Sequence, residues 1–259
     1  MREIINLISP SSSPRPQQGG PIFIDLTEPV EVLPGVWELP KLGLTDEQKA
    51  PLTELAEMLQ RLPGKRYRNY TDLGPKSSEM SMRVELPLGF IQFANDVGRC
   101  PEAYTRHLTE NLELSHAVKN ILESLIEPIA QELMKIKVEP EHMQHFFFAF
   151  IYVRPGALDQ HEHNDVSGDE AEEYRTVSMR VTDHPDQGDT VFKKGDEFVA
   201  LDTEAKMFNG VAEHFGQGNR NPEHARISLF CTVGKRSLDT NNKANIPFTR
   251  QVPMGGFGP

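Results

Sequence analysis

The stretch that decides the fold is "HFFFAFIYV", residues 145–153, together with the short segments that follow it. A short, dense run of aromatic and β-branched residues indicates a buried strand. The segments after it are "YRTVSMRVTD", "GDTVFKKGDEFVALD", "AKMFNG" and "ARISLFCTV", each bounded by Gly, Pro, Asp or Asn. Short strands with turn residues between them are typical of an antiparallel sandwich or barrel.

The sequence before this β-rich half indicates helices. Thr45 and Gln48 have the spacing of a capping box ahead of a helical apolar stripe, although Pro51 leaves open that the regular helix begins there. The strongest helix is "SHAVKNILESLIEPIAQELMKIK", which has Ser115 as its predicted N-cap and Pro128 as a predicted kink. The fold class expected is therefore α+β, with a mainly β core buttressed by N-terminal helices.

These patterns divide the chain into four parts. We expect a flexible N-terminal segment at 1–20, a helical and short-strand part at 21–144 that packs on the core, the β core at 145–236, and an irregular C-terminal tail at 237–259.

Composition limits the partners and the compartment. The formal charge of −11 over 259 residues argues against nucleic acid as the main partner, because phosphate backbones are bound by Lys and Arg. No apolar run is long enough to predict a membrane span, and the first 20 residues do not read as a signal peptide. Two unpaired cysteines, Cys100 and Cys231, fit a reducing cytoplasm, and Cys231 reads as a buried apolar residue.

The stretch "LDQHEHND", residues 158–165, predicts a metal site. In an extended segment, residues two apart face the same way, so His163 and Asp165 can supply two ligands. A facial triad needs one more histidine and leaves coordination positions open, which suits non-haem Fe(II). His214 follows a strand-like segment, whereas His224 lies in a polar loop, and His214 is therefore the predicted third ligand.

A predicted strand near the end of the β core carries an anion-binding pair. Arg226 and Ser228 share one face of "ARISLFCTV", while the apolar residues between and after them fill the other. A guanidinium with a helper hydroxyl on an inner face is a preferred way to bind the end of a dicarboxylate.

The ordered set of a His-x-Asp pair, a distal histidine and an Arg-x-Ser resembles the 2-oxoglutarate/Fe(II)-dependent oxygenases. The resemblance covers roughly residues 146–234 and implies a double-stranded β-helix, or jelly roll. It implies that His163, Asp165 and His214 hold Fe(II), and that the enzyme consumes 2-oxoglutarate and molecular oxygen in a hydroxylation. It further implies that 2-oxoglutarate binds Arg226 with help from Ser228, and that Tyr152 also reaches this co-substrate.

Other interpretations of the same residues stay open. His163 and Asp165 could lie in a polar loop, with Arg226 paired to a surface acid. His161 could join His163 and His214 in a three-histidine site that resembles the cupin-type thiol dioxygenases. The chain could also be a peptide or protein hydroxylase, or a non-catalytic metal-binding barrel.

The sequence says least about the substrate. "GKRYRNYTDL", residues 64–73, loosely resembles a stretch in small bacterial oxygenases that hydroxylate free amino acids. The acidic segment "SGDEAEEYR" after the metal motif resembles a lid that could meet a substrate amine. The expected substrate is a small, amino-acid-like molecule, with His161, Arg175 and Arg180 as candidate contacts.

Overall fold

The computed structural model describes residues 29–40, 42–61, 68–69, 82–94, 112–135, 145–166, 174–233 and 249–253. The segment at 1–20 predicted to be flexible lies outside these residues. The strands are β1 (Val30–Leu33), β2 (Val36–Glu38), β3 (Arg68–Asn69), β4 (Arg83–Ala94), β5 (His145–Val153), β6 (Arg175–Arg180), β7 (Thr190–Lys194), β8 (Glu197–Ala200), β9 (Ala205–Asn209), β10 (His214–Gly216), β11 (Arg226–Val233) and β12 (Thr249–Pro253). The helices are α1 (Asp46–Gln60), α2 (Leu112–Ile121) and α3 (Glu127–Lys135), with a π-helical turn, Leu122–Ile126, between α2 and α3.

Two sheets form the β core. The main sheet has the order β1-β2-β9-β6-β11-β5-β4-β12, with β3 paired to β4, and the small sheet has the order β10-β7-β8. From β6 to β11 the chain alternates between the sheets, because β7, β8 and β10 lie in the small sheet while β6, β9 and β11 lie in the main sheet. Phe192 of β7 contacts Phe208 of β9 edge-on, with ring centroids 5.1 Å apart, so the two sheets pack on each other.

The helices cover the other face of the main sheet. Phe146, Phe148 and Phe150 of β5 are buried in one cluster with Leu52 of α1 and Val118 of α2. Alternate residues of β11 join the same cluster, including Cys231, which is buried as expected. The prediction of a mainly β core with N-terminal helices packed on it is confirmed at this level.

The capping box of α1 forms as predicted. The Thr45 hydroxyl accepts a hydrogen bond from the Gln48 amide at 3.3 Å, and the Gln48 side chain accepts one from the Thr45 amide at 2.9 Å. The helix begins at Asp46 and contains Pro51, so a start at Pro51 is wrong. Within the described residues, no helix is both long and apolar enough to cross a membrane.

The predicted N-cap of the second helix is wrong. The helix begins at Leu112, and Ser115 is buried inside it. The reason is packing: Leu114 is 1% exposed and lies four residues before Val118, so the apolar face extends one turn further than the cap preference of Ser115 suggested. The π-helical turn comes just before Pro128, which has no amide hydrogen to donate within a helix.

The main sheet also takes strands from outside the predicted β core. The 21–144 part contributes β1, β2 and β4 to it, and the tail that we expected to be irregular contributes β12, which pairs in parallel with β4. The sequence analysis did not identify β4 because Pro87 and Gly89 interrupt its pattern. The structure accommodates them at a register shift between these two residues.

Candidate active site

Two histidines and one aspartate meet where the small sheet begins. The backbones of His163 and His214 exchange two hydrogen bonds of 2.9 and 3.0 Å, which hold the two imidazole rings 4.6 Å apart. Asp165 Oδ1 lies 3.6 Å from His214 Nε2 and 4.0 Å from His163 Nε2. One potential ligand atom from each of these three residues lies within 4.8 Å of the other two, which is close enough to share one metal ion.

Hydrogen bonds behind the ligands fix their orientation. Nδ1 of His163 lies 2.8 Å from the His161 carbonyl oxygen, and Nδ1 of His214 lies 2.8 Å from that of Ala212. Because a carbonyl can only accept, each Nδ1 carries the proton and each Nε2 keeps its lone pair. Thr176 Oγ1 donates to Asp165 Oδ2 at 2.9 Å, which leaves Oδ1 beside the two Nε2 atoms.

The protonation of His214 suits metal binding. Burial lowers the pKa of His214 and outweighs the Asp165 carboxylate, which raises it, so the imidazole is neutral at neutral pH. Neutral imidazole and ionised carboxylate are the forms that bind metal. The His163 side chain is 37% exposed, so the site is reachable from outside. Two imidazole nitrogens and one carboxylate oxygen with open positions fit non-haem Fe(II).

A cavity extends from the three ligands between the two sheets. The volume open to the centre of a water molecule is about 90 Å³, several times the ~10–15 Å³ that one water needs. Its polar lining includes Arg83, Ser178, Thr190, Arg226 and Ser228, and its apolar lining includes Ile151, Phe208 and Phe230.

Arg226 is a buried charge in the lining of this cavity. It is 7% exposed and donates one hydrogen bond, from Nη1 to the Gln187 carbonyl at 3.2 Å. Among the described residues it makes no ion pair. Burial and the neighbouring Arg83 lower the pKa of Arg226 to about 10, although Asp189 raises it. A buried guanidinium in this state lacks the anion that normally compensates it.

Glycines let the backbone approach this guanidinium. Gly188 has φ +68°, and a Cβ there would lie 3.1 Å from Arg226 Nη1 and would clash with the Gly218 carbonyl. A Cβ at Gly216 would lie 2.6 Å from Oε1 of Gln160, which accepts a hydrogen bond from the Gly216 amide. Position 188 therefore needs glycine for the loops to close around Arg226, whereas a side chain at Gly216 would displace the Gln160 amide from its hydrogen bond.

No protein-family model matches the chain, and no curated protein matches it by sequence. Among solved structures, it is similar to the non-heme alpha ketoglutarate dependent carbocyclase SnoK from nogalamycin biosynthesis, at 11% identity, 77% coverage of this chain and 79% of that one, and a TM-score of 0.46. It is similar to a Pseudomonas putida prolyl-4-hydroxylase, at 14% identity, 78% and 93% coverage and a TM-score of 0.40. It is also similar to JOX2 in complex with 2OG, Fe and JA, at 13% identity, 77% and 67% coverage and a TM-score of 0.44.

The His-x-Asp pair, the distal histidine and the Arg-x-Ser on which the sequence resemblance to the 2-oxoglutarate/Fe(II)-dependent oxygenases rests all line one cavity.

Tyr152, which the resemblance placed beside the co-substrate, lies elsewhere in the structure. Tyr152 lies on the helix-covered face of β5, and its hydroxyl donates to Glu57 of α1 at 2.7 Å. Its neighbour Ile151 lines the cavity instead, because successive strand residues face opposite ways. The expectation that Tyr152 reaches the co-substrate is therefore wrong.

The candidate substrate contacts do not line the cavity. Arg175 lies on the helix-covered face of β6, in step with Val177, and its guanidinium carbon is 5.1 Å from the centre of the Trp37 ring. Arg180 shares the inner face with Ser178, but it pairs with Asp189 at 3.0 Å and lies near two further acids. The exposed imidazole of His161 is not among the clustered ligands, and only its carbonyl serves the site. Arg175 and Arg180 therefore lie outside the lining of this cavity, and their contact with a substrate stays a prediction.

Two further expectations concern segments at the margins. His224 is half exposed and stacks on His184 at 4.0 Å, away from the three ligands. Most of the acidic segment, 167–173, and most of "GKRYRNYTDL" lie outside the described residues.

The sequence analysis missed two residues of the site. Thr176 alternates with Ser178 on the inner face of β6, and that spacing was a usable signal. Arg83 lies on the overlooked strand β4, where it alternates with apolar residues in "RVEL". Its partners lie 75 to 134 residues away, so no local pattern connects it with them.

Proposed function

We propose that this chain is an Fe(II)- and 2-oxoglutarate-dependent oxygenase acting on a small molecule. The observation that carries the proposal is one cavity that joins two kinds of site. Its lining holds two imidazoles and a carboxylate oriented for a metal, and also a buried arginine that makes no ion pair among the described residues.

Different residues would bind the metal and the co-substrate. His163, Asp165 and His214 would hold Fe(II), which would supply the electrons that activate dioxygen. Arg226 would bind the distal carboxylate of 2-oxoglutarate with its planar fork, and Ser228 would add a hydroxyl. The alternation of the chain between two sheets supports a double-stranded β-helix as the scaffold.

The proposed reaction is a hydroxylation coupled to the oxidative decarboxylation of 2-oxoglutarate. The C1–C2 bond of 2-oxoglutarate breaks to release carbon dioxide, one atom of dioxygen enters succinate, and the other enters the substrate as a hydroxyl group. The chain's own residues orient the co-substrate and keep the metal accessible from the His163 side. An amino-acid-like substrate is proposed from the acidic segment that follows Asp165, because those carboxylates would pair with an ammonium group.

Two alternatives make different predictions. A three-histidine dioxygenase needs His161 as a ligand, but its imidazole is exposed and lies outside the ligand cluster. A non-catalytic metal-binding barrel needs no anion site, yet Arg226 is buried in the same cavity as the ligands.

The test is turnover of 2-oxoglutarate by the full chain reconstituted with Fe(II). We expect slow release of succinate without a prime substrate, and stimulation by at least one member of a panel of free amino acids, basic peptides, fatty acids and nucleosides. His214→Ala serves as the control without a complete metal site. Metal binding without any succinate release would favour the non-catalytic barrel. Stimulation by basic peptides alone would identify a peptide hydroxylase.

A further inference from the structure

A second arginine reaches the cavity from the N-terminal half of the chain. Arg83 lies at the start of β4 and is 2% exposed. In the main sheet it is aligned with Val153 of β5, which is itself aligned with Arg226 of β11, so the two arginines occupy one row of the sheet. Their proximity is sufficient for Arg83 to lower the pKa of Arg226.

Nη2 of Arg83 donates hydrogen bonds to three backbone carbonyls. It lies 3.2 Å from the Leu158 oxygen, 3.2 Å from the Gly216 oxygen and 3.1 Å from the Gln217 oxygen. Leu158 belongs to the segment that leads to His163, and the other two follow directly from His214. One guanidinium therefore connects the two segments that carry the imidazole ligands.

The two segments otherwise form an irregular ladder. Gln160 and Gly216 bond to each other twice, at 2.9 Å through the Gln160 amide and at 2.8 Å through its side chain. Beyond this pair, the carbonyls of Leu158 and Gln217 have Arg83 as their hydrogen-bond donor in the described chain. The backbone pairing resumes further on, where the Asn219 amide donates to the Ala157 carbonyl at 2.9 Å. Arg83 therefore supplies the donors for carbonyls at the interruption between two paired stretches.

We propose that Arg83 is a positioning residue that, beside the direct backbone pairing of His163 and His214, keeps the two ligand segments at a fixed separation. The proposal rests on the metal site of the proposed function, because it concerns the geometry in which those two imidazoles meet a metal. The Nη2 hydrogen bonds of Arg83 go to backbone carbonyls of both segments, so its proposed action is through their backbone. Partners that orient metal ligands typically contribute 10–100-fold to metal affinity.

The test is Co(II) titration of the metal-free full chain, read by calorimetry and by the visible absorption of bound Co(II), which reports coordination geometry. Arg83→Met keeps the length of the side chain but donates no hydrogen bond, and it should bind Co(II) roughly 10–100-fold more weakly with an altered spectrum. Arg83→Lys should recover part of the affinity, because an ammonium still donates to carbonyls.

Arg154→Met is the matched control. Arg154 lies just after β5 and donates to Gln60 of α1 at 3.2 Å, so it also joins the two halves of the chain but away from the ligand segments. It should lower the thermal midpoint of the metal-free protein and leave the Co(II) affinity and spectrum unchanged.

Each outcome decides the proposal. Co(II) binding by Arg83→Met with wild-type affinity and spectrum would overturn the role of Arg83 while leaving the metal site intact. Failure of the wild-type chain to bind Co(II) would instead overturn the proposed function. Loss of a cooperative thermal transition in both Arg83→Met and Arg83→Lys would show that Arg83 is required for folding, and the positioning role would be rejected.

Discussion

Replacing Arg226 with methionine should stabilise the ligand-free protein and at the same time sharply reduce its stabilisation by 2-oxoglutarate. The two effects have the same cause. A guanidinium that is 7% exposed, with one hydrogen bond and no ion pair among the described residues, is costly until an anion arrives. Methionine fills a similar length without the charge.

The magnitude follows from the environment of Arg226. Burial and Arg83 lower its pKa from 12.5 to about 10, which corresponds to about 3 kcal/mol of destabilisation of the charged form. This penalty is complete at neutral pH, where the arginine is charged in both the folded and the unfolded chain, and it declines only as the pH rises above about 10. Losing the hydrogen bond to Gln187 costs about 1 kcal/mol, which leaves a net gain of about 2 kcal/mol.

The assay is thermal unfolding of the wild type and of Arg226→Met, with and without 2-oxoglutarate, in the presence of Mn(II). The net gain should raise the midpoint of the ligand-free variant by roughly 4–8 °C for a chain of this size. Saturating 2-oxoglutarate, at about 100 times its dissociation constant for the wild type, should stabilise the wild type by about 2.7 kcal/mol and the variant by less than about 1 kcal/mol. The loss of a buried charge pair should weaken 2-oxoglutarate binding by about 2–4 kcal/mol, roughly 30- to 1000-fold.

Arg226→Lys separates charge from geometry. An ammonium keeps the charge but lacks the planar fork, so it should restore 2-oxoglutarate binding only in part. A variant Arg226→Met that unfolds at a lower temperature than the wild type and still responds to 2-oxoglutarate as the wild type does would refute both the electrostatic argument and the proposed anchor.

Three further changes test the surroundings of the site. Asp165→Ala should abolish Co(II) binding in a titration, whereas His161→Ala should leave it nearly intact, and the reverse ranking would restore the three-histidine alternative. Thr176→Val removes the hydroxyl that donates to Asp165 and should weaken Co(II) affinity roughly 10-fold, so an unchanged affinity would show that Asp165 needs no such support. Asp189→Asn breaks the 2.7 Å pair with Lys206 and should cost about 3 kcal/mol in urea unfolding at neutral pH. Although burial raises the pKa of Asp189, Lys206 and its other partners lower it below 3.8 overall, so its contribution is complete above that pH and is lost on acidification. A difference between wild type and Asp189→Asn that stays constant in acid would show that the charge is not its source.

Local periodicity explains which parts of the site could be predicted from sequence. The spacing of two between His163 and Asp165, and between Arg226 and Ser228, places each pair on one side of an extended segment, and the structure keeps both pairs on the cavity. The same rule argues against Tyr152, because it lies in step with Phe150 and Phe148 on the face that the helices cover.

Long-range contacts explain what could not be predicted. Pro87 and Gly89 obscure the strand that carries Arg83, and a register shift at these residues is visible only once β5 is paired beside it. The start of α2 likewise depends on the burial of Leu114 in a core assembled from distant strands. In both cases tertiary packing overrides the local signal.

The pairing of β12 with β4 has a consequence for synthesis of the chain. Thr249–Pro253 align in parallel with Phe90–Ala94, about 160 residues earlier, so this half of β4 has its neighbour on that side only after those further residues have left the ribosome. Until then the nascent protein presents an unpaired strand edge, which is a template for pairing with other chains. Strand β12 therefore protects the newly made protein against aggregation, and a truncation before Thr249 should lower its soluble yield even if the metal ligands are intact.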